Sequence, residues 1–207
     1  MNTLTRLGTT MFAAITIVAA ATTANADILD QDNRIPIGIG GGAVAEGFVL
    51  AQTVTVGLDG QLSRIGLQVN VASDAIENLN IRLLGLNAGA PDTSNVLATA
   101  ALVPSDVPVG NASGTIPVTF VDFAADNLVF SVGDTFAIEL SSDAANNSPF
   151  NERYLWSRGT AYSGGVPFRN GSEQNGNDYN FQTFVVPEPS SLALLGFGGL
   201  FVARRRR

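Results

Sequence analysis

The chain has 207 residues, 45% of them hydrophobic, with no cysteine and no histidine, which excludes disulfides, thiolate chemistry, histidine bases and the usual zinc and haem ligands. Residues 27–186 hold 17 of the 18 acidic residues and six of the 11 arginines, so this part carries a net charge of −11. Such an acidic surface repels phosphate backbones and argues against nucleic acid as a partner.

Residues 1–26 have the features of a secretory signal peptide. Arg6 supplies a positive start, and Met11–Ala21 is an apolar run that favours a helix. Ala24 and Ala26 are the small residues that a signal peptidase accepts before the cleaved bond. We expect Asp27 to begin the mature chain; the alternative is a buried N-terminal helix.

Residues 27–186 alternate between apolar and polar side chains with a period of two, the pattern of half-buried β-strands. Turn residues separate these runs, for example at Asp59-Gly60, and predict eight or nine strands. Polar residues such as Gln68, Asn70 and Glu139 fall on the face opposite the core. The residues predicted to face the core are Val54, Val56, Ile65, Leu67, Val69, Val71, Leu79, Ile81, Leu83, Ile116, Val118, Phe120, Phe136, Ile138, Leu140, Tyr154, Trp156, Tyr179, Phe181, Thr183 and Val185.

Four other segments of the middle region are read from composition. Residues 94–103, SNVLATAALV, fit a helix as well as a strand. The polar stretches 141–151 and 163–178 are predicted loops, and the glycine-rich 36–47 is a predicted flexible connector.

Three segments resemble strands of the jelly-roll domains found in bacterial exported proteins: Gln52–Val69, Gly133–Leu140 and DYNFQTFV at 178–185. These domains look like carbohydrate-binding modules, but the matching residues are core and turn residues, so the resemblance concerns the fold. The predicted fold is all-β: an antiparallel jelly-roll-like β-sandwich over 27–186, flanked by an N-terminal signal helix and a C-terminal transmembrane helix.

No catalytic or metal-binding set stands out in this sequence. Two acid pairs, Asp122 with Asp126 and Glu152 with Glu173, were considered for glycoside hydrolysis and are interpreted as solvated surface acids, so no enzyme activity is expected.

Loops 143–147 and 173–178 carry oxygen ligands suited to calcium but lack the alternating acid spacing of a dedicated calcium loop. Ordinary polar loops are therefore the favoured interpretation, calcium is kept as a possible cofactor, and no residue is assigned as a metal ligand.

An aromatic cluster is the most suggestive candidate for a ligand contact. Tyr154, Trp156 and Tyr162 could stack on sugar faces, but core packing is the favoured interpretation, since Tyr154 and Trp156 share one strand face. Three arginines that could grip hydroxyl groups follow or precede them in the sequence: Arg153, Arg158 and Arg169.

The C-terminal segment 187–207 has the composition of a membrane-targeting signal. Pro187-Glu188-Pro189 precedes the apolar run Leu192–Ala203, which is about 18 Å long as a helix and therefore short for a hydrocarbon core of about 30 Å. Arg204, Arg205, Arg206 and Arg207 follow directly and favour a cytoplasmic end.

This arrangement resembles the PEP-CTERM sorting signal of Gram-negative bacteria. The resemblance implies recognition by an exosortase, which is a membrane protease, cleavage near Pro187-Glu188-Pro189, and association with exopolysaccharide or the cell surface, as in biofilm. An ordinary tail anchor is the alternative reading.

The sequence therefore predicts an exported, non-enzymatic β-sandwich with a structural or glycan-binding role at the cell surface or in the extracellular matrix. Two alternatives stay open: a secreted glycan-active enzyme, and a calcium-stabilised adhesin that binds protein.

Overall fold

A computed structural model describes residues 26–35, 38–110, 113–114, 116–145, 153–159 and 161–187. The predicted all-β class is confirmed, since the described residues form strands and two short 3₁₀ turns, at Pro104–Asp106 and Ala124–Asp126. The predicted signal helix and transmembrane helix fall on residues outside those described. The strands are β1 Ile28–Asp32, β2 Gly38–Ile39, β3 Gly41–Val44, β4 Leu50–Thr55, β5 Gly60–Leu67, β6 Val69–Val71, β7 Leu79–Asn87, β8 Ala90–Leu102, β9 Ser113–Gly114, β10 Thr119–Asp122, β11 Val129–Phe130, β12 Thr135–Ser141, β13 Tyr154–Ser157, β14 Pro167–Arg169, β15 Ser172–Glu173 and β16 Phe181–Val186.

Apart from the separate two-stranded pair β2–β9, the strands form two packed layers around one core. One layer has the order β1-β16-β5-β10, with β11 also on β5, and it continues into the sheet β3-β13-β6 because only Gln68 separates β5 from β6. The other layer is the six-stranded sheet β15-β14-β4-β12-β7-β8. The pairings between these strands are antiparallel, and side chains from both layers meet in a single hydrophobic cluster.

The period-two pattern predicted the core with two exceptions. Of the residues predicted to face inward, all are buried except Val118 and Phe120. β10 begins only at Thr119, where Thr119 and Val121 pair with Leu67 and Ile65 of β5 and share their inward face. Phe120 is therefore turned outward, and the predicted face of this strand was wrong.

The opposite faces of several strands are also covered, which the alternation did not predict. Gln68 and Asn70 are buried because loops cross over them, and the Gln68 amide donates to the carbonyl oxygens of Ile35 and Ile116. Glu139 on β12 is buried as well, at 4% exposure.

More strands form than the eight or nine predicted, because several ladders are only two or three residues long. Residues 94–102 belong to strand β8 rather than a helix, and Val103 follows the strand and caps the 3₁₀ turn Pro104–Asp106. The predicted loop 163–178 contains the hairpin β14–β15. The predicted connector 36–47 contains strand β3. In that strand, a Cβ on Gly42 would lie 2.9 Å from Tyr179.

Candidate functional site

The last strand leads directly into the sorting residues. β16 ends at Val186, which pairs with Gln61 of β5, and Pro187 follows at once. A Cβ on Gly60 would lie 2.6 Å from the carbonyl oxygen of Val186 and 3.2 Å from Cα of Pro187. With a φ of +153°, Gly60 is needed both for its backbone conformation and for this close approach.

The first strand begins at the same place. Ile28, the first residue of β1, lies opposite Val185 in the antiparallel pair with β16. Asp27 lies before it, with Oδ2 3.0 Å from Nε of Arg64 on β5, and Ala26 is exposed. We call this part of the sandwich, around Ile28, Gly60, Val186 and Pro187, the exit end, because both terminal segments leave the domain here.

Most of the predicted processing residues are not among the residues described. Ala26 and Pro187 are described at the exit end, whereas the others lie outside the described part of the chain: Ala24, Glu188, Pro189, Arg204, Arg205, Arg206 and Arg207.

The predicted aromatic contacts Tyr154 and Trp156 are completely buried. The Trp156 ring stacks on Tyr179 at 4.5 Å between centroids, and its Nε1 donates to the carbonyl oxygen of Asn180 at 2.9 Å. The Tyr154 hydroxyl donates to the carbonyl oxygen of Glu77 at 2.7 Å. Neither ring offers a face to a ligand, so these two residues are corrected to core positions; burial also raises the pKa of Tyr154 to about 12.

Tyr162 is half-buried and does not join them in a binding surface. Its hydroxyl lies 3.0 Å from Oε1 of Gln31 and 3.2 Å from the carbonyl oxygen of Thr55. Its ring packs edge-to-face on Phe181 at 5.1 Å. Tyr162 therefore ties the loop after β13 to β1 and β4.

The arginines predicted to grip a sugar make internal contacts instead. Arg158 donates from Nη2 to the Tyr179 hydroxyl at 2.6 Å and lies 4.6 Å from the centre of that ring. Arg169 lies over the Phe48 ring at 4.3 Å, and burial lowers the pKa of Arg153. Arg158 and Arg169 are therefore engaged by aromatic rings of this domain.

The acid pairs considered for catalysis show no enclosed arrangement. Asp122 and Asp126 are both exposed, and Asp122 Oδ1 accepts a hydrogen bond from the backbone of Ala124. Glu173 is exposed, and Glu152 lies outside the described residues.

Two carboxyl groups have displaced pKa values, and both values are low, the wrong direction for a general acid. Burial alone would raise the pKa of Asp32, but hydrogen bonds and the charge of Arg34 outweigh it and lower the pKa. The Ser94 side chain lowers the pKa of Asp92.

The two loops considered for calcium do not bring their acids together. Asp178 turns inward, where Oδ1 accepts from Nε2 of Gln52 at 3.0 Å and Oδ2 accepts from the backbone nitrogen of Tyr162 at 2.7 Å. Glu173 and Asp143 are exposed, and Asn147 is not described. Within the described residues, no three acidic side chains are grouped as metal ligands would be.

The outer face of the six-stranded sheet carries a feature that the sequence did not predict. Five residues form one cross-strand row, one from each of β14, β4, β12, β7 and β8: Phe168, Ala51, Glu139, Arg82 and Thr99. In its centre, Nε and Nη2 of Arg82 lie 2.8 Å and 2.5 Å from Oε1 of Glu139. The Arg82 side chain is 35% exposed and the Glu139 side chain 6%, so the pair is open on the arginine side.

Two hairpins raise walls on either side of this row. Pro91 and Thr93 of the β7–β8 hairpin stand on one side, and Asn170 and Gly171 of the β14–β15 hairpin on the other. They enclose, with the row, a groove of about 460 Å³ that we call the outer groove. Its size is within the range of small-molecule and sugar-sized sites.

The β14–β15 wall is held in place by its turn residue. Asn170, at a φ of +49°, accepts at Oδ1 from the backbone nitrogen of Val49 at 2.8 Å and donates from Nδ2 to the carbonyl oxygen of Gly47 at 2.9 Å. The Asn-Gly pair at 170–171 is a hairpin signal that would have revealed this wall. A second signal for the groove was a pair of opposite charges on neighbouring strands, with Arg82 on β7 and Glu139 on β12.

Comparison with known proteins identifies the C-terminal segment. Residues 185–207 match the family model of the PEP-CTERM protein-sorting motif. The match begins at Val185 on β16, so the motif starts inside the sandwich and continues past the exit end. The motif marks the chain as an exported protein sorted by an exosortase.

The other comparisons are less informative. A search of curated proteins found no match. A solved structure of the cysteine protease and lectin-like domains of Cwp84, a surface layer associated protein of Clostridium difficile, aligns with 78% of this chain at 10% identity and a TM-score of 0.45, and the chain spans 36% of that protein. That likeness is too low to bear on function. Among the described residues, none forms a helix of the length and apolarity needed to cross a bilayer.

Proposed function

This chain carries the PEP-CTERM protein-sorting motif, and from that premise we propose that it is a non-enzymatic surface component that binds neutral glycan in the outer groove. It is made with a signal peptide, held at the membrane by residues 187–207, and released when an exosortase cleaves near Pro187. The sandwich then works in the exopolysaccharide or surface layer.

The observation that carries the glycan assignment is the Arg82–Glu139 pair between the two hairpin walls. A sugar hydroxyl both donates and accepts, so a guanidinium and a carboxylate side by side match two neighbouring hydroxyl groups. Pro91 supplies apolar surface for the carbon face of the ring, and Phe168, which is 5% exposed, also lines the groove. The net charge of −11 over residues 27–186 disfavours acidic glycans, which is why the proposed ligand is neutral.

The non-enzymatic assignment is supported by the chemistry of the side chains. The chain has no histidine, cysteine or lysine to serve as base or nucleophile. In the outer groove, the Glu139 side chain is only 6% exposed and its Oε1 accepts a hydrogen bond from Nε of Arg82 at 2.8 Å, so this oxygen is already occupied.

The test is a glycan array followed by titration of the best neutral oligosaccharide, with calcium and with a chelator. The double variant Arg82→Met, Glu139→Leu removes both charges together and so leaves no buried ion unpaired. We expect it to lose at least about tenfold in affinity, since two hydrogen bonds of about 1 kcal/mol each are removed. The control is Arg34→Met, Asp32→Leu, which removes a partly exposed pair elsewhere.

Equal affinity of the two double variants would overturn the outer groove as the site. Release of reducing sugar that stops when one acid is replaced would favour the enzyme alternative. Binding that needs calcium and is specific for protein would favour the adhesin.

A further inference from the structure

Exposed apolar side chains are concentrated at the exit end. Ten large apolar side chains are exposed in the described part of the chain, and half of them lie in this region. They are Ile28, Leu29, Leu58, Val129 and Val132, of which Val129 and Val132 are 58% and 60% exposed. Patches of this kind, rimmed by polar residues, mark interaction surfaces.

Strand pairing places these residues beside the departing chain. Val129 of β11 lies opposite Gln61, and Gln61 lies opposite Val186 on its other side. The backbone nitrogen of Val132 donates to Oδ1 of Asp59 at 2.7 Å, and Asp59 immediately precedes Gly60, which touches Pro187.

We propose that the exit end is a lipid-contacting surface, on which Leu58, Val129 and Val132 lie against the outer leaflet while the sorting segment is attached. This inference rests on the proposed membrane-held precursor. The apolar run begins at Leu192, five residues after Pro187, and five residues span at most about 18 Å. The exit end is therefore held close to the interface, and lipid is the surface nearest to its apolar side chains.

While the sorting segment tethers the chain to the membrane, even a weak contact is enough to keep the exit end against the lipid. Burying a few half-exposed side chains gives only a weak contact, comparable with marginal, reversible membrane anchors. A contact of that strength is populated while the chain is tethered, because tethering raises its effective concentration. Cleavage near Pro187 removes the tether, and because the contact is weak without it, the sandwich then dissociates from the membrane.

The charges at the exit end distinguish this contact from an electrostatic one. Arg64 is already paired with Asp27, and Asp59 adds a negative charge beside Val132. The contact should therefore be stronger on zwitterionic than on anionic vesicles, the reverse of a basic membrane-binding patch.

The experiment uses the full chain reconstituted in phosphatidylcholine vesicles with acyl chains that carry bromine, which quenches tryptophan at the lipid. Trp156→Phe removes the single native tryptophan, and Val132→Trp places a reporter at the exit end. The matched control is Ile76→Trp in the same background, because Ile76 is 79% exposed and follows β6, at the opposite end of the β5–β6 run. Val129→Trp serves as a second reporter.

We expect quenching at residues 132 and 129, none at 76, and less quenching when phosphatidylglycerol replaces half of the phosphatidylcholine. A chain that floats with the vesicles but shows no quenching at either reporter overturns the lipid contact and leaves the membrane-held precursor intact. Equal quenching at residues 132 and 76 also overturns it. A chain that does not float with the vesicles overturns the precursor, and the lipid contact with it.

Discussion

Ile28 lies directly opposite Val185 in the antiparallel pair of β1 and β16. One residue is the second of the expected mature chain, and the other is the first of the residues matching the sorting motif. Both predicted cleavage sites are therefore next to one end of one sheet, although 157 positions separate the two residues in the sequence. Both terminal segments leave toward the same side, and the groove-bearing sheet is in the other layer.

This pairing predicts a specific disulfide in a chain that has no cysteine. Ile28→Cys with Val185→Cys should cross-link on mild oxidation, because directly opposed strand residues have the Cα separation that a disulfide needs. The cross-linked chain should run faster on a non-reducing gel. Leu29→Cys with Val185→Cys is the control, since these side chains point to opposite faces; equal cross-linking of both pairs would contradict the register.

The Arg82–Glu139 pair predicts a non-additive effect on stability. Arg82→Met alone leaves the buried Glu139 carboxylate without its partner and should lower the free energy of unfolding by about 1–3 kcal/mol. Adding Glu139→Leu should restore much of that loss. Urea unfolding measures both, and additive effects would show that the pair is not coupled.

The control for that series is the more exposed pair Arg34–Asp32, in which 40% and 30% of the side chains are exposed. Arg34→Met should cost less than about 1 kcal/mol. A cost equal to that of Arg82→Met would mean that burial does not decide the difference.

Because Trp156 is buried, its fluorescence should respond neither to acrylamide nor to glycan while the protein is folded. It is the single tryptophan of the chain, so its emission reports one site. Acrylamide should quench it only after unfolding, and a saturating glycan should leave its wavelength unchanged. A spectral shift on glycan binding would return Trp156 to the list of ligand contacts.

The sequence predicts the burial of one face of each strand better than the burial of the other. The inward faces were predicted because burial between two layers needs an apolar residue at every second position, as at Ile65 and Leu67. The outward faces were not predicted, because their cover comes from loops distant in sequence. Glu139 is an example, since it is buried only when β7 supplies Arg82 and two hairpins rise beside it.

Stability should fall in alkaline solution. Burial raises the pKa of Tyr154 to about 12 from the usual tyrosine value of 10.0, and it also raises the pKa values of Tyr162 and Tyr179. A tyrosine that loses its proton more easily when unfolded favours unfolding once the pH exceeds its unfolded pKa. The free energy of unfolding should therefore hold up to about pH 10 and decline between about pH 10 and 12.

Urea titrations at several pH values measure this decline. Tyr154→Phe should make it shallower, because one of the titrating groups is gone. An unchanged slope in that variant would show that Tyr154 does not contribute.

We propose that residues from Pro187 onward are removed by processing, and that the sandwich then works without them. The most direct measurement is the intact mass of the protein from membrane and released fractions, for the wild type and for the variant with Pro187, Glu188 and Pro189 all replaced by alanine. We expect a released wild-type chain that begins at Asp27 and ends near Pro187, and a variant that is exported but stays full-length in the membrane. Equal release of both chains, or a released wild type that still ends at Arg207, would contradict it.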